Sequence, residues 1–279
     1  MKKLYDEVSF KISKIVTQKY STSFSMGIKA LHPELREAIY GIYGFVRLAD
    51  EIVDSFNDYN QKELLEDFKR DTKAALKNKI SLNPIIHAFQ DVVFKYGIEV
   101  KLIDQFLHSM EMDLEKIEYN SDLYKEYILG SAEVVGLMCL HVFVEGDKDE
   151  FEKLRPYAMK LGSAFQKINF LRDLKDDFYI LGRTYFPGVD LTKFDDTIKK
   201  DIEKDIKAEF DEALIGIKML PITSRFGVYL AYNYYFSLFK KIQKSSANKV
   251  LNERVRIPDG YKLLMMSRSY LDYKISNLM

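Results

Sequence analysis

Chain breakers are rare in this sequence, and apolar residues recur at helical spacing for long stretches. Its 279 residues include 6 prolines and 13 glycines. The punctuating ones fall between periodic segments. Pro33 suits the first turn of one helix. Ser81-Leu82-Asn83-Pro84 begins another, and Gly97 ends it. Gly146-Asp147 separates two more, residues 182–192 read as a loop with Pro187 and Gly188, Pro221 starts a late helix, and Pro258-Asp259-Gly260 turns into the last. The pattern predicts an all-α protein of roughly ten helices. Residues 134–144 are the exception, because their Val and Phe content would also suit a strand. No Pro/Ser-rich linker, low-complexity tract or fixed-period repeat divides the chain, so residues 1–279 read as one domain.

Composition excludes several classes. Lys plus Arg equals Asp plus Glu at 42 each, so no global field draws the chain to nucleic acid. Cys139 is the one cysteine, so no internal disulfide can form. MKKLYDEVSF lacks the apolar run of a signal peptide. The longest apolar run, Val134 to Val144, falls short of the ~20 residues a spanning helix needs. The expectation is a cytoplasmic protein, at most peripheral to a membrane.

The segment PELREAIYGIYGFVRLADEIVD carries two interlocked stripes. Leu35, Ile39, Ile42, Val46, Ala49 and Val53 form a core-facing one. One residue along, at the same spacing and about 100° around the helix, lie Arg36, Tyr40, Tyr43, Arg47, Asp50 and Asp54. A solvated face rarely sets two tyrosines between two arginines and ends in carboxylates at i and i+4. Like charges at that spacing cost a helix a few tenths of a kcal/mol. A divalent cation reverses the penalty, and Mg²⁺ commonly bridges one or two carboxylates to substrate phosphates.

A second segment, QKINFLRDLKDD, repeats the logic. Gln166, Asn169, Asp173 and Asp177 share one face beside the apolar Phe165, Ile168, Leu171, Leu174 and Phe178. Amides within an apolar stretch need partners, and their oxygens can ligate Mg²⁺. Arg172 and Arg183 stand near enough in sequence to meet phosphate oxygens. Two acidic faces on two helices suggest a cage for a diphosphate with its metal ions. Departure of that group from an allylic carbon leaves a carbocation, which needs a dry pocket and is stabilised by aromatic faces. The chain supplies 19 Tyr and 19 Phe.

These segments, in this order, resemble the squalene/phytoene synthase family. Ser21-Thr22-Ser23-Phe24, AIYGIYGFVRLADEIVD, Met110 to Leu114, Tyr127 to Gly136, QKINFLRDLKDD with GRTYFP, and NERVRIP with Lys262-Leu263 carry the resemblance over nearly the whole chain. It implies a single-domain isoprenoid synthase-type helical bundle around a central cavity. It implies condensation of two prenyl diphosphates through a cyclopropylcarbinyl diphosphate, with Mg²⁺, or Mn²⁺ in its place, as cofactor. Carried over by residue, Asp50, Asp54, Asn169, Asp173 and Asp177 would hold metal. Arg36, Arg47, Arg172, Arg183, Arg254 and Ser23 would contact substrate. Tyr40, Tyr43, Gln166 and the catalytic candidate Tyr127 would line the cavity. Two geranylgeranyl diphosphates giving phytoene is the leading expectation, two farnesyl diphosphates the alternative, and a non-catalytic assembly factor of the same superfamily a third. No glycine-rich dinucleotide fingerprint occurs, so NADPH is not expected. Peripheral membrane contact for release of the hydrocarbon product is.

Three positions depart from the family's pattern. Tyr20 stands where many members have His, Glu133 where a small residue is common, and Glu51 where a second Asp is common. His32, His87, His108 and His141 form no i, i+4 pair, which makes a histidine zinc site improbable. Cys139 reads as a buried small hydrophobe, DIKAEFDEA at 205–213 as a solvated face, and Asp113 as either second to the site or exposed.

Overall fold

The computed structural model describes residues 1–115, 119–176 and 185–275, excepting the side chains of 176, 259, 261–264, 272, 274 and 275. Among the described residues all regular structure is helical. In chain order the helices are α1 (Lys2–Tyr20), α2 (Thr22–Lys29), α3 (Pro33–Asp54), α4 (Gln61–Asn78), α5 (Pro84–Tyr96), α6 (Val100–Asp113), α7 (Ser121–Ile128), α8 (Val134–Phe143), α9 (Lys148–Asp176), α10 (Asp196–Met219), α11 (Ile222–Gln243), α12 (Ala247–Asn252) and α13 (Asp259–Ile275). A π-turn, Leu129–Glu133, joins α7 to α8.

Local chemistry sets most boundaries. Pro33 occupies the first turn of α3, where its missing N–H costs nothing. The Asn83 side chain accepts from the backbone N–H of Ile85 and Ile86 to open α5, which Gly97 ends at φ 66°. Asp195 does for α10 what Asn83 does for α5. The Val/Phe-rich stretch after 134 is helical, because tertiary burial overrides its strand propensity. Pro156 lies inside α9 rather than between helices. The helix runs through it while packing along α8 and α10.

The core explains why α3 has a face to spare. On one side Phe45 stacks on Phe89 at 3.9 Å, with Phe68 and Phe106 around them. On another side α1 lies against α3 through its small residues, Ser9, Ser13 and Thr17, all fully buried. A Cβ on Gly44 would sit 3.0 Å from that of Ser13, so the two backbones approach only because both residues are small. The remaining side of α3 is left for a cavity. The stretch Ser121–Phe143 is long and apolar enough to cross a membrane, yet half of its apolar window is buried, and residues along it form one cavity wall.

Candidate active site

A cavity of about 630 Å³ is lined by the end of α1 at Tyr20 and by α2, α3, α6, the α7–α8 segment, α9, α10 and α11. Most of the charged lining comes from the C-terminal ends of α3 and α9, with Tyr43, Arg47, Asp50 and Asp54 from the first and Gln166, Asn169, Arg172 and Asp173 from the second, joined by Arg254 from the segment after α12. The earlier turns of the same helices contribute Ile39, Ile42, Leu154, Tyr157 and Leu161. The site is therefore a polar end joined to a deep apolar body, built by two long helices whose sequences change character along their length.

At the polar end each carboxylate face is held by arginine. Arg47 donates to Asp50 at 2.5 Å and grips Glu51 with two nitrogens. Arg172 bonds Asp173 through Nε at 3.0 and 3.1 Å, and Arg254 reaches the same carboxylate at 2.7 Å. Burial pulls the Arg172 guanidinium down, but the hydrogen bond and charge of Asp173 outweigh it and hold it above its ordinary range. Burial likewise opposes Arg47, while Asp50 and Glu51 raise it. Both cations stay charged at any working pH. Tyr43 is pushed up by burial and lies in the field of both Arg47 and Arg172, which brings the two faces into one electrostatic site.

Two aromatic walls flank that end. Phe165 stacks on Tyr235 at 3.9 Å with Phe24 beside them, and the Tyr235 hydroxyl donates to Asn169 Oδ1 at 3.4 Å. Across from them Phe170 stacks on Tyr185 at 4.0 Å, next to Tyr127. The Tyr127 hydroxyl donates to Asp113 Oδ2 at 2.8 Å, and burial, then the charge of Asp113, holds its proton well above the usual tyrosine range. Tyr127 is a proton-bearing group here, not a phenolate. Burial pushes the Cys139 thiol up to about 12, which keeps it inert.

The comparisons with known proteins match this construction. The family model described as squalene/phytoene synthase fits residues 17–260. The chain belongs to the squalene/phytoene synthase family. Phytoene synthase 1 (chloroplastic) of Solanum lycopersicum is 28% identical over 91% of this chain and 66% of its own length. The 4,4'-diapophytoene synthase of Staphylococcus haemolyticus is 30% identical over 68% of this chain and 66% of its own. This chain thus spans about two thirds of the length of those curated relatives. Among solved structures, a dehydrosqualene synthase bound to a ligand superposes with a TM-score of 0.82, at 20% identity, covering 97% of this chain and 98% of that one. Squalene synthase HpnC from Alicyclobacillus acidocaldarius gives 0.75 at 19% identity, over 90% of this chain and 97% of its own. Members of the family are prenyltransferases, and the all-α fold expected from the sequence is the family's.

Within this family fold, ten of the residues singled out from sequence line the cavity: Tyr43, Arg47, Asp50, Asp54, Tyr127, Gln166, Asn169, Arg172, Asp173 and Arg254. Asp177 and Arg183 lie outside the described residues, as do the side chains of Lys262 and Leu263. Three others are corrected. Arg36 turns back to bond the Leu31 carbonyl at 2.9 Å, and Tyr40 is buried under α1 with Lys14 over its ring, so the first two positions of the stripe secure the helix start instead of facing the cavity. Ser23 packs near Leu230, Tyr234 and Met265; two residues are about 200° of helix, and Ser21, which caps α2, is the serine of this segment that lines the cavity. DIKAEFDEA is not wholly solvated either. Its Glu209 is buried, accepts from Ser163 at 2.9 Å and pairs with Lys167 at 2.9 Å.

Sequence reasoning did not assign Tyr185, Tyr235, Phe165 or Phe170 to the wall. Tyr185 lies within GRTYFP, so the signal was present; Tyr235 sits in an aromatic run, NYYF, that looks like core. Among the described residues, Asp6, His87 and Asp91 also group metal-type ligand atoms, on α1 and α5 away from the cavity. There the Ser81 N–H points at His87 Nδ1 (3.4 Å), which leaves the proton on Nε2 for Asp6 at 2.8 Å, a bond that ties α1 to α5.

Proposed function

We propose that this protein condenses two molecules of geranylgeranyl diphosphate head to head, through a cyclopropylcarbinyl diphosphate, to phytoene. The supporting observation is the pairing of an arginine–carboxylate end with a deep apolar, aromatic-walled cavity. The donors Asp50, Asp54, Asp173 and Asn169 are hard oxygens on two helix faces, the set that suits Mg²⁺ or Mn²⁺. When bound there, such ions supply positive charge to the departing diphosphate.

The chain's own residues account for the rest. Arg47, Arg172 and Arg254 rest on carboxylates at this end, and their remaining N–H groups would serve as charge-assisted donors to phosphate oxygens. Breaking the C1–O bond sends its electron pair out with the diphosphate. The aromatic walls exclude water from the allylic cation and face it with π density, while the alkene of the second molecule attacks C1. Loss of a proton closes the cyclopropane; a second ionisation, rearrangement and proton loss give the triene. No reductant enters, in keeping with the expectation that NADPH is not used.

The C20 substrate is favoured by the relatives that span most of the chain, which are named phytoene synthases. The C15 reading, two farnesyl diphosphates to dehydrosqualene or squalene, is favoured by the diapophytoene synthase and the superposing dehydrosqualene synthase. Incubation with each diphosphate, with and without Mg²⁺, and mass analysis of the extract separates them. A Mg²⁺-dependent C40 hydrocarbon is expected; a C30 product alone overturns the chain length, and no product from either overturns the activity and restores the assembly-factor reading.

A further inference from the structure

Tyr20 ends α1 about half exposed, and its ring lies 4.5 Å from the Arg47 guanidinium carbon. Its hydroxyl is among the groups that hold the Glu51 carboxylate below its ordinary range, and Glu51 is gripped by Arg47 through two nitrogens. Three elements converge on one cation: a π face from α1 above it, a carboxylate one turn along α3 beside it, and Asp50 at 2.5 Å on its cavity side. Glu51 itself does not line the cavity, whereas Arg47 and Asp50 do.

We infer that Tyr20 and Glu51 are positioning residues that hold Arg47 at the polar end of the cavity, so that it meets a diphosphate when Asp50 turns to metal. This rests on the diphosphate reading above. Of the Arg47 contacts, the one to Asp50 is the one that metal binding would take away. The clamp from Tyr20 and Glu51 survives that loss, so the guanidinium keeps its place, and the planar fork still has donors for phosphate oxygens. Tyr20 thereby acts on the anion through Arg47, from a place of its own on the cavity lining. The departure of this chain from His at that position exchanges one kind of contact for another.

Two measurements test this on the full chain. In the first, an arginine-selective dicarbonyl, phenylglyoxal, labels the protein and peptide mass spectrometry reads Arg47 against Arg172. Tyr20→Ala is expected to raise Arg47 labelling about fivefold relative to Arg172, with Tyr20→Phe in between because the ring remains. An unchanged ratio overturns the clamp. In the second, calorimetry follows inorganic diphosphate binding with Mg²⁺ present. Tyr20→Ala is expected to weaken it about tenfold, roughly the worth of a partly desolvated cation–π contact, and Tyr20→Phe at most two- to threefold because the ring remains. Faster labelling with undiminished affinity overturns the link to the anion. A wild-type chain that binds no diphosphate overturns the functional reading together with this one, whereas wild-type binding matched by the variants overturns this one alone. Thermal melts accompany both, since a merely structural tyrosine would lower the melting temperature and leave affinity and labelling ratio in place.

Discussion

The two acidic faces use the same residue types but are assembled differently. On α3 the partner of Asp50 is Arg47, three residues away on the same helix, and Glu51 completes the set at i+4. Once α3 forms, that arrangement exists. On α9 the carboxylate of Asp173 is shared by its neighbour Arg172 and by Arg254, which comes from the segment after α12. The second face is therefore complete only when the chain's last third has folded against it. The ion pairs of the first face are a property of a helix, to which α1 adds only the Tyr20 ring, whereas those of the second are a property of the tertiary structure. Local spacing reveals the first kind and is nearly blind to the second.

Neutralising a carboxylate on either face should give the largest effect. Asp50→Asn and Asp173→Asn are each expected to lower kcat/KM by on the order of 10²–10³, because each removes a hard anionic ligand from the end where leaving-group charge is stabilised. Spacing alone suggests that such changes relieve like-charge repulsion and leave metal-free stability equal or higher. The structure reverses that sign. Asp50 and Asp173 are neutralised by Arg47, Arg172 and Arg254, so each Asn variant should lose about 1 kcal/mol in a urea melt without Mg²⁺. Near-normal turnover in both would dissolve the comparison altogether.

Arg254→Ala sharpens it. If the second face depends on the far segment, this change should lower kcat/KM about tenfold, the worth of one charge-assisted hydrogen bond. Helix content should stay intact, since the segment from Glu253 to Pro258 is not helical. An effect below twofold would make the second face as self-contained as the first.

Legibility followed the same division. The helices, the long apolar stripe of α3 and eight of the ten cavity-lining residues were readable because a period of 3.6 places them without knowledge of neighbours. Arg36 and Tyr40 were misassigned because the same period extends beyond the stretch where α3 borders the cavity, and what covers its start is α1, set by the packing of Ser13 against Gly44. Ser23 was misassigned because the boundary between α1 and α2 falls at Ser21, a cap whose geometry decides which serine looks inward. Glu209 was read as solvated because its partners, Ser163 and Lys167, belong to a different helix. Resemblance supplied Arg254 and Tyr127, for which spacing gave no reason.

The smallest effect concerns Glu133, on the π-turn beside the cavity wall. Burial, followed by repulsion from Glu209, raises its carboxyl to about 7, although Lys160 and Lys167 pull the other way. A carboxyl whose folded value exceeds its unfolded one favours the folded state while protonated. That stabilisation is full below about 4.5 and is lost as pH rises through about 7. The wild-type melting temperature should therefore carry a component that falls between pH 5 and 8. Glu133→Gln keeps the shape and removes the titration. Discounted for its partial exposure, the gain at pH 8 should be about 1 kcal/mol, vanishing near pH 5. Because Glu133 does not line the cavity, diphosphate affinity at pH 7 should not change. A flat difference between wild type and variant across this range would show that Lys160 and Lys167 neutralise Glu133 fully. The ionic cluster between α9 and α10 would then resemble the α3 face, satisfied within itself, rather than the α9 face, which depends on what the fold brings to it.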